Sequence, residues 1–231
     1  MRWTPPSIQW TMTVSDSGKL VWMDIGTTGL DASLHTILEV AVIVTTADLE
    51  SVAEPLVLVH LASPDDIGRM DPVARSMHEA SGLLAAVVNR SVGKWYYSER
   101  GVSYYGESFK IMDIGRWALG AYLREHTEPQ ICPLAGSSVH FDRSFLVQHM
   151  SSVNAHMHYR NFDVSAIHEA AKRWIPDVAE GAPEKRGLHR ALPDLEDSLN
   201  LARYYRDAIQ AGQKARRELS RMECAFRESL L

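Results

Sequence analysis

Two short stretches of this 231-residue chain place a carboxylate where a strand would give way to a helix. The first is Ala135-Gly136-Ser137-Ser138-Val139-His140-Phe141-Asp142, and the second is Gly187-Leu188-His189-Arg190-Ala191-Leu192-Pro193-Asp194. In the second, His189 precedes Asp194 by five positions, so the two side chains can face one cleft. A third carboxylate, Asp24, stands at the end of the apolar run Leu20-Val21-Trp22-Met23. Three carboxylates suit hard divalent cations, which bind through oxygen. A neutral imidazole beside them can accept a proton from water near neutral pH. Together these groups predict metal-dependent phosphodiester hydrolysis.

Taken singly, each residue has a plainer reading. An aspartate at a helix start is more often an N-cap, and a lone histidine more often a surface or satisfied core group. The arrangement of all of them is what carries the inference.

The elements around these residues predict an α/β domain. Lys19 to Ile25 reads as a buried strand, Ile37 to Val44 as a second rich in branched apolar residues, and Pro55 to His60 as a third. The turn-like Gly26-Thr27-Thr28-Gly29-Leu30-Asp31 follows the first and would present Asp24 at a strand end. Met70 to Asn89 has helical character interrupted at Ser81-Gly82, and Ile111 to His126 is a further helix. Ile131 to Ala135 predicts a core strand, followed by a helix from near Asp142 bearing Phe145, Leu146 and Met150 on its apolar side. Asp163 can cap the next helix, in which Val164, Ile167, Ala171 and Trp174 recur at helical spacing until Pro176. Leu192, Leu195, Leu199 and Ala202 mark another, with Pro193 tolerable near its start. Strands clustered early and then alternating with helices imply a mixed sheet flanked by helices.

The chain is expected to divide into an N-terminal extension over 1–18, a domain over 19–210 and a charged helix or tail over 211–231. Within the domain, Ser91 to Lys110 holds Trp95, four tyrosines and three glycines without periodicity, and reads as an inserted loop. A net charge of −5 argues against indiscriminate binding to long nucleic acid but suits a short oligonucleotide. Two widely separated cysteines, Cys132 and Cys224, predict a reducing compartment. With no run long enough to span a membrane and no secretory apolar region, an intracellular, cytoplasmic protein is expected; a mitochondrial location stays open.

These words, in this order, resemble the oligoribonuclease family, part of the DEDDh class of 3′-to-5′ exonucleases. The resemblance runs from about Lys19 to Ile209. It rests on Trp22-Met23-Asp24 with Thr28-Gly29-Leu30-Asp31, on His78 with Ser81-Gly82-Leu83, and on Cys132 to Gly136 leading into Asp142. It continues through His158 to Ser165, Lys172-Arg173-Trp174 and His189-Arg190-Ala191-Leu192. It implies an RNase H-like fold and release of 5′ mononucleotides from very short, 5′-phosphorylated RNA. Two magnesium or manganese ions would be held by Asp24, Asp142 and Asp194, with His189 as general base. It further implies that His78, Ser138, Arg160 and Ser165 enclose the terminal 5′ phosphate, that Leu30 wedges against the bases, and that Tyr159 reaches a neighbouring active site across a homodimer.

The chain also departs from the resembling pattern. The family places a glutamate two residues after its first aspartate, where this chain has Gly26. Positions 24 and 26 of a strand share a face, so a metal ligand is missing there. Ser137, Val73 and Pro193 replace an asparagine, a tryptophan and an acidic residue. A second expectation therefore stands beside the first: a catalytically impaired pseudo-exonuclease that binds nucleotides or serves as a scaffold. A DNA or structured-RNA exonuclease is a third reading, disfavoured by the full phosphate set and the acidic charge.

Overall fold

The computed structural model describes residues 18–59, 63–88 and 111–228. The expected loop over 91–110 and nearly all of the N-terminal extension lie outside the described residues. Within them, β1 (Leu20–Thr27) pairs antiparallel with β2 (Ile37–Thr45), which pairs antiparallel with β3 (Leu56–Val59). On its other side β1 runs parallel to β4 (Pro133–Gly136), which is parallel to β5 (His158–Asp163), giving the order β3-β2-β1-β4-β5. This is the mixed sheet the sequence predicts. The described helices are, in order, α1 (Pro64–Gly68), α2 (Pro72–Ala80), α3 (Leu83–Val88), α4 (Ile111–His126), α5 (Val139–His149), α6 (Ser151–His156), α7 (Val164–Trp174), α8 (Pro176–Glu180) and α9 (Ala191–Glu228).

Strand alternation divides the core between two faces. Val21, Met23, Ile25, Val40 and Val42 pack with Leu119 and Leu123 of α4 (Ile111–His126) and with Phe145 and Leu146 of α5 (Val139–His149). Trp22, Ala41 and Ile43 face the other way, toward Leu195, Leu199, Ala202 and Tyr205 of α9 (Ala191–Glu228). All nine positions of β2 are buried, which explains its near-continuous apolar run. Asp24 follows Trp22 by two and so lies on the α9 side, the face from which Asp194 approaches.

The region read as one interrupted helix after Met70 is two helices, Pro72–Ala80 and Leu83–Val88, separated at Ser81-Gly82 where Gly82 has φ 75°. α5 begins three residues before Asp142, and the helix after Asp163 spans Val164–Trp174. Asp163 caps it by accepting from the Ser165 amide, as expected. Trp174, assigned to its apolar stripe, is 78% exposed, because the helix ends there and Pro176 starts a separate short turn over Pro176–Glu180. α9 continues unbroken past Gly212.

Strand β5 has no counterpart among the sequence-based elements. Its burial is intermediate or exposed at every position, so it shows no apolar alternation. It forms as the sheet edge because β4 offers it backbone partners and Arg143 grips it from α5. The Arg143 guanidinium donates to the carbonyls of His158 (2.7 Å) and Tyr159 (3.1 Å) and to the Asn161 side chain.

Candidate active site

The three aspartates reach one end of the sheet by three routes. Asp24 comes from β1 itself. Asp142 sits in the first turn of α5, 4% exposed, and its Oδ1 accepts from the Ile25 amide at 3.0 Å, tying helix to strand end. Asp194 lies in the first turn of α9. The β4 strand can pass close enough for this because residue 136 is glycine: a Cβ there would lie 2.9 Å from the Met23 carbonyl oxygen.

Burial and like charge act on the carboxylates in turn. Burial, then the charge of Asp194, pushes the Asp24 carboxyl up to about 7, with Lys185 opposing and Glu39 adding. Burial, then Asp24, raises Asp142 well above the ordinary carboxylate range. Asp194 is raised by burial, while His189 pulls it back through charge and through a backbone hydrogen bond. The sequence-predicted quartet of Asp24, Asp142, Asp194 and His189 is therefore one electrostatic group. Among the described residues, no group of three or more His, Cys, Asp or Glu side chains is placed so that it could hold a metal ion. The donor chemistry nonetheless fits a divalent cation: buried oxygens short of positive charge are what such an ion neutralises.

Gly26 stands opposite Glu39 in the β1–β2 register, and a Cβ built on it would meet the Glu39 Cβ at 3.5 Å and a Leu83 methyl at 3.2 Å. No carboxylate comes from position 26. Glu39, 1% exposed, instead receives Arg190 and the Ala191 amide.

The residues assigned to substrate fall into two groups. Ser138 and Ser165 meet: the Ser138 amide donates to Ser165 Oγ at 2.9 Å and to Asp163 Oδ1 at 3.0 Å. Ser138 holds φ 56°, a left-handed conformation that turns β4 into α5. Arg160 lies on the exposed β5 edge with its guanidinium 5.4 Å from the Tyr159 ring centre. Tyr159 is 70% exposed, and Leu30 is 82% exposed in the loop after β1. His78 is 2% exposed in the helix Pro72–Ala80, and its Nε2 lies 2.8 Å from the Thr27 carbonyl oxygen. That carbonyl makes Nε2 the donor and leaves the buried Nδ1 without a partner. The neutral ring can there accept a hydroxyl proton; it can donate to a phosphate oxygen only as imidazolium.

Sequence reasoning passed over four residues. Glu39 was absorbed into an apolar strand, although a lone carboxylate in a nine-residue buried run is itself a signal. Lys185, which acts on both Asp24 and Asp194, sits in a stretch without periodicity. Arg143 directly follows Asp142 but was given no role. Asp163 was read only as a cap, yet it also binds the Ser138 and Val139 amides. The departures find structural partners: Ser137 Oγ lies 2.9 Å from Ser198 Oγ, the Pro193 carbonyl accepts from Arg186, and Val73 is 77% exposed.

Residues 118–202 match the family model described as Exonuclease. The fold also resembles Escherichia coli exonuclease I in its zinc-bound complex with single-stranded DNA (TM-score 0.59, 14% identity, 83% of this chain). The chain spans only 41% of that protein's length, and this likeness concerns the RNase H-like fold alone. Sequence relatives are more specific. The chain is 37% identical over 196 residues to the oligoribonuclease of Marinobacter nauticus, covering 84% of this chain and 97% of that one. It is 34% identical to the human mitochondrial oligoribonuclease over 83% of this chain and 73% of that one. The chain belongs to the oligoribonuclease family.

Proposed function

We propose that this protein is a 3′-to-5′ exoribonuclease that degrades very short, 5′-phosphorylated oligoribonucleotides to 5′ mononucleotides. The observation that carries the reading is the 37% identity to an oligoribonuclease over 97% of that protein's length, in a chain that sets Asp24 in β1, ties Asp142 to the Ile25 amide next to it and starts α9 at Asp194. Asp24, Asp142 and Asp194 would hold magnesium or manganese. When bound, two such ions supply an activated water and neutralise charge on the departing oxygen. The protein's own groups do the rest. His189 accepts the proton of the attacking water. Ser138, Arg160 and Ser165 bind the terminal phosphate, whose extra charge favours guanidinium and hydroxyl donors. His78 would reach the same phosphate from its buried Nδ1 only as imidazolium and once that atom is uncovered, and Leu30 packs against the bases.

Tyr159 is exposed beside Arg160, which supports its use by a second copy in a homodimer, stacking on a base there. We assign the activity to residues 19–210, with 91–110 as an inserted loop, in an intracellular protein of the cytoplasm.

One observation favours a second reading. Gly26 supplies no carboxylate, and the oxygens of the Glu39 opposite it are engaged by Arg190 and Ala191, so the site is short of one ligand. That shortage supports an impaired exonuclease that binds nucleotides without turning them over. Incubation of a 5′-phosphorylated diribonucleotide with manganese separates the two: release of mononucleotide is expected. Tight binding with no release in manganese or magnesium would establish the second reading, and neither binding nor release would reject both.

A further inference from the structure

Residues 183–190 have no regular secondary structure, and they carry the exposed His189 at φ 52° just after Gly187 at φ 65°. A base in such a segment has no helix or strand of its own to aim it. The segment is fastened on both sides of His189 instead. Upstream, the Arg186 amide and Nε bind Asp197 of α9 at 2.8 and 2.7 Å, and its Nη2 donates to the Pro193 carbonyl at 2.6 Å. Downstream, Arg190 forks onto Glu39 of β2, with Nη2 to Oε1 at 2.6 Å and Nε to Oε2 at 3.1 Å. The Ala191 amide adds a bond of 2.9 Å to the same Oε2. The residue one position after His189 is thereby bolted to β2.

Glu39 calls for an explanation beyond stability. It is 1% exposed in a strand otherwise built of apolar residues and threonine, and a buried ion pair of this kind is often no more stabilising than an apolar replacement. What it provides is direction. A planar fork on two carboxylate oxygens fixes orientation as well as distance, and the amide bond fixes the backbone beside it. Its place on the Asp24 face also suggests a substitute for the carboxylate missing at position 26. Against that, both oxygens already accept from Arg190 and Ala191.

We propose that Glu39, acting through Arg190 and the Ala191 amide, is a positioning residue that aims His189 at the reacting water. The proposal rests on the reading of His189 as the base. The variant Glu39→Gln keeps the shape and one acceptor but loses the charge that completes the fork. On a 5′-phosphorylated diribonucleotide with manganese it should lower kcat by about ten- to a hundredfold, the scale of a misplaced catalytic group, with KM unchanged. Manganese affinity, titrated directly, should not change. In the His189→Ala background, Glu39→Gln should cost almost nothing more, because the residue acts only through the imidazole. The His189 ring resonances, assigned with His189→Ala, should shift and broaden in Glu39→Gln, while those of His149, bound to the Ala32 carbonyl elsewhere, stay put.

Losses that multiply in the double variant would overturn the proposal, as would a fall in manganese affinity, which would make Glu39 a ligand. Should Glu39→Gln fail to fold, Arg190→Lys removes the fork from the less buried side and carries the same tests. If the wild type hydrolyses nothing, the reading of the base fails on its own. The ring signals then decide the positioning role: unmoved His189 resonances reject it, and shifted ones sustain it.

Discussion

Asp24, inside β1, and Asp163, at the carboxyl end of β5, belong to one sheet with β4 between them, yet their surroundings drive them in opposite directions. Burial pushes Asp163 up as well, but hydrogen bonds from the Ser165 side chain and from the Ser138, Ser165 and Val139 amides outweigh it and hold the carboxyl below its ordinary value. Asp24 receives no comparable relief and is held up at about 7. Asp142 has two amides, its own and that of Ile25, and it still stays well above the ordinary range. The contrast separates the two plain meanings of an aspartate beside a helix. A satisfied carboxylate is a capping group that builds the loop over which Ser138 and Ser165 meet. An unsatisfied one, beside others of the same sign, carries a charge that nothing nearby offsets in full.

The largest expected effect comes from removing one member of the unsatisfied set. Asp142→Asn should lower hydrolysis by roughly a thousandfold or more, the scale of losing a preorganised electrostatic group. It should also stabilise the metal-free protein near neutrality. The sign follows from Asp142 itself: burial, then the charge of Asp24, raises its carboxyl well above the ordinary value of 3.8, so the folded state resists ionisation that the unfolded chain accepts. That penalty is absent below about pH 4 and grows as pH rises toward the raised folded value. With EDTA present, the melting temperature of Asp142→Asn should therefore pull ahead of wild type as pH rises through that window, and excess manganese should close the gap. Parallel melting curves at every pH would show that the carboxylates do not repel one another, and the contrast with Asp163 would collapse.

Legibility in the sequence follows the same division. The buried strands β1 and β2 declare themselves by apolar runs, and Asp24, Asp142, Asp194 and His189 were recoverable because each adjoins such a run or begins an amphipathic helix. β5 was not, because an edge strand held by backbone pairing and by Arg143 needs no apolar alternation. The Glu39–Arg190 pair spans 151 positions, and no local pattern announces a partner that distant. Lys185 was invisible for a related reason: its loop has no period, and only the fold brings its charge to Asp24 and Asp194.

A smaller effect should come from the satisfied side of the comparison. Arg160 is exposed at the β5 edge, so Arg160→Ala should leave folding intact while removing charge-assisted bonds of about 1.5–3 kcal/mol to a terminal phosphate. Binding of a 5′-phosphorylated diribonucleotide should weaken by that amount, and binding of the same dinucleotide with a 5′ hydroxyl hardly at all. Calorimetry on both ligands measures the difference directly. Equal losses would assign Arg160 to general affinity, and the β5 edge would no longer be a phosphate-reading surface.

The subtlest change joins the two sides by adding charge where the set is already short of counterions. Gly26→Glu places a carboxylate on the Asp24 face, across from Glu39, where a Cβ meets the Leu83 methyl at 3.2 Å. Leu83 is fully buried, so it must yield by a few tenths of an ångström, and overpacking of this kind costs about 1–3 kcal/mol. Without metal, the variant should melt lower than wild type from both the strain and the added repulsion. With metal the order should narrow or reverse, and half-maximal activity should need several-fold less manganese. The double variant Gly26→Glu with Leu83→Val separates the causes: it should recover the strain but not the repulsion, so its metal-free melting temperature should remain depressed at pH 8 and recover at pH 4. A variant that gains stability without metal would mean that Arg190 or Lys185 already supplies surplus positive charge there. In that case the high Asp24 value would reflect burial alone, and Asp24 and Asp163 would differ only in how many hydrogen bonds reach them.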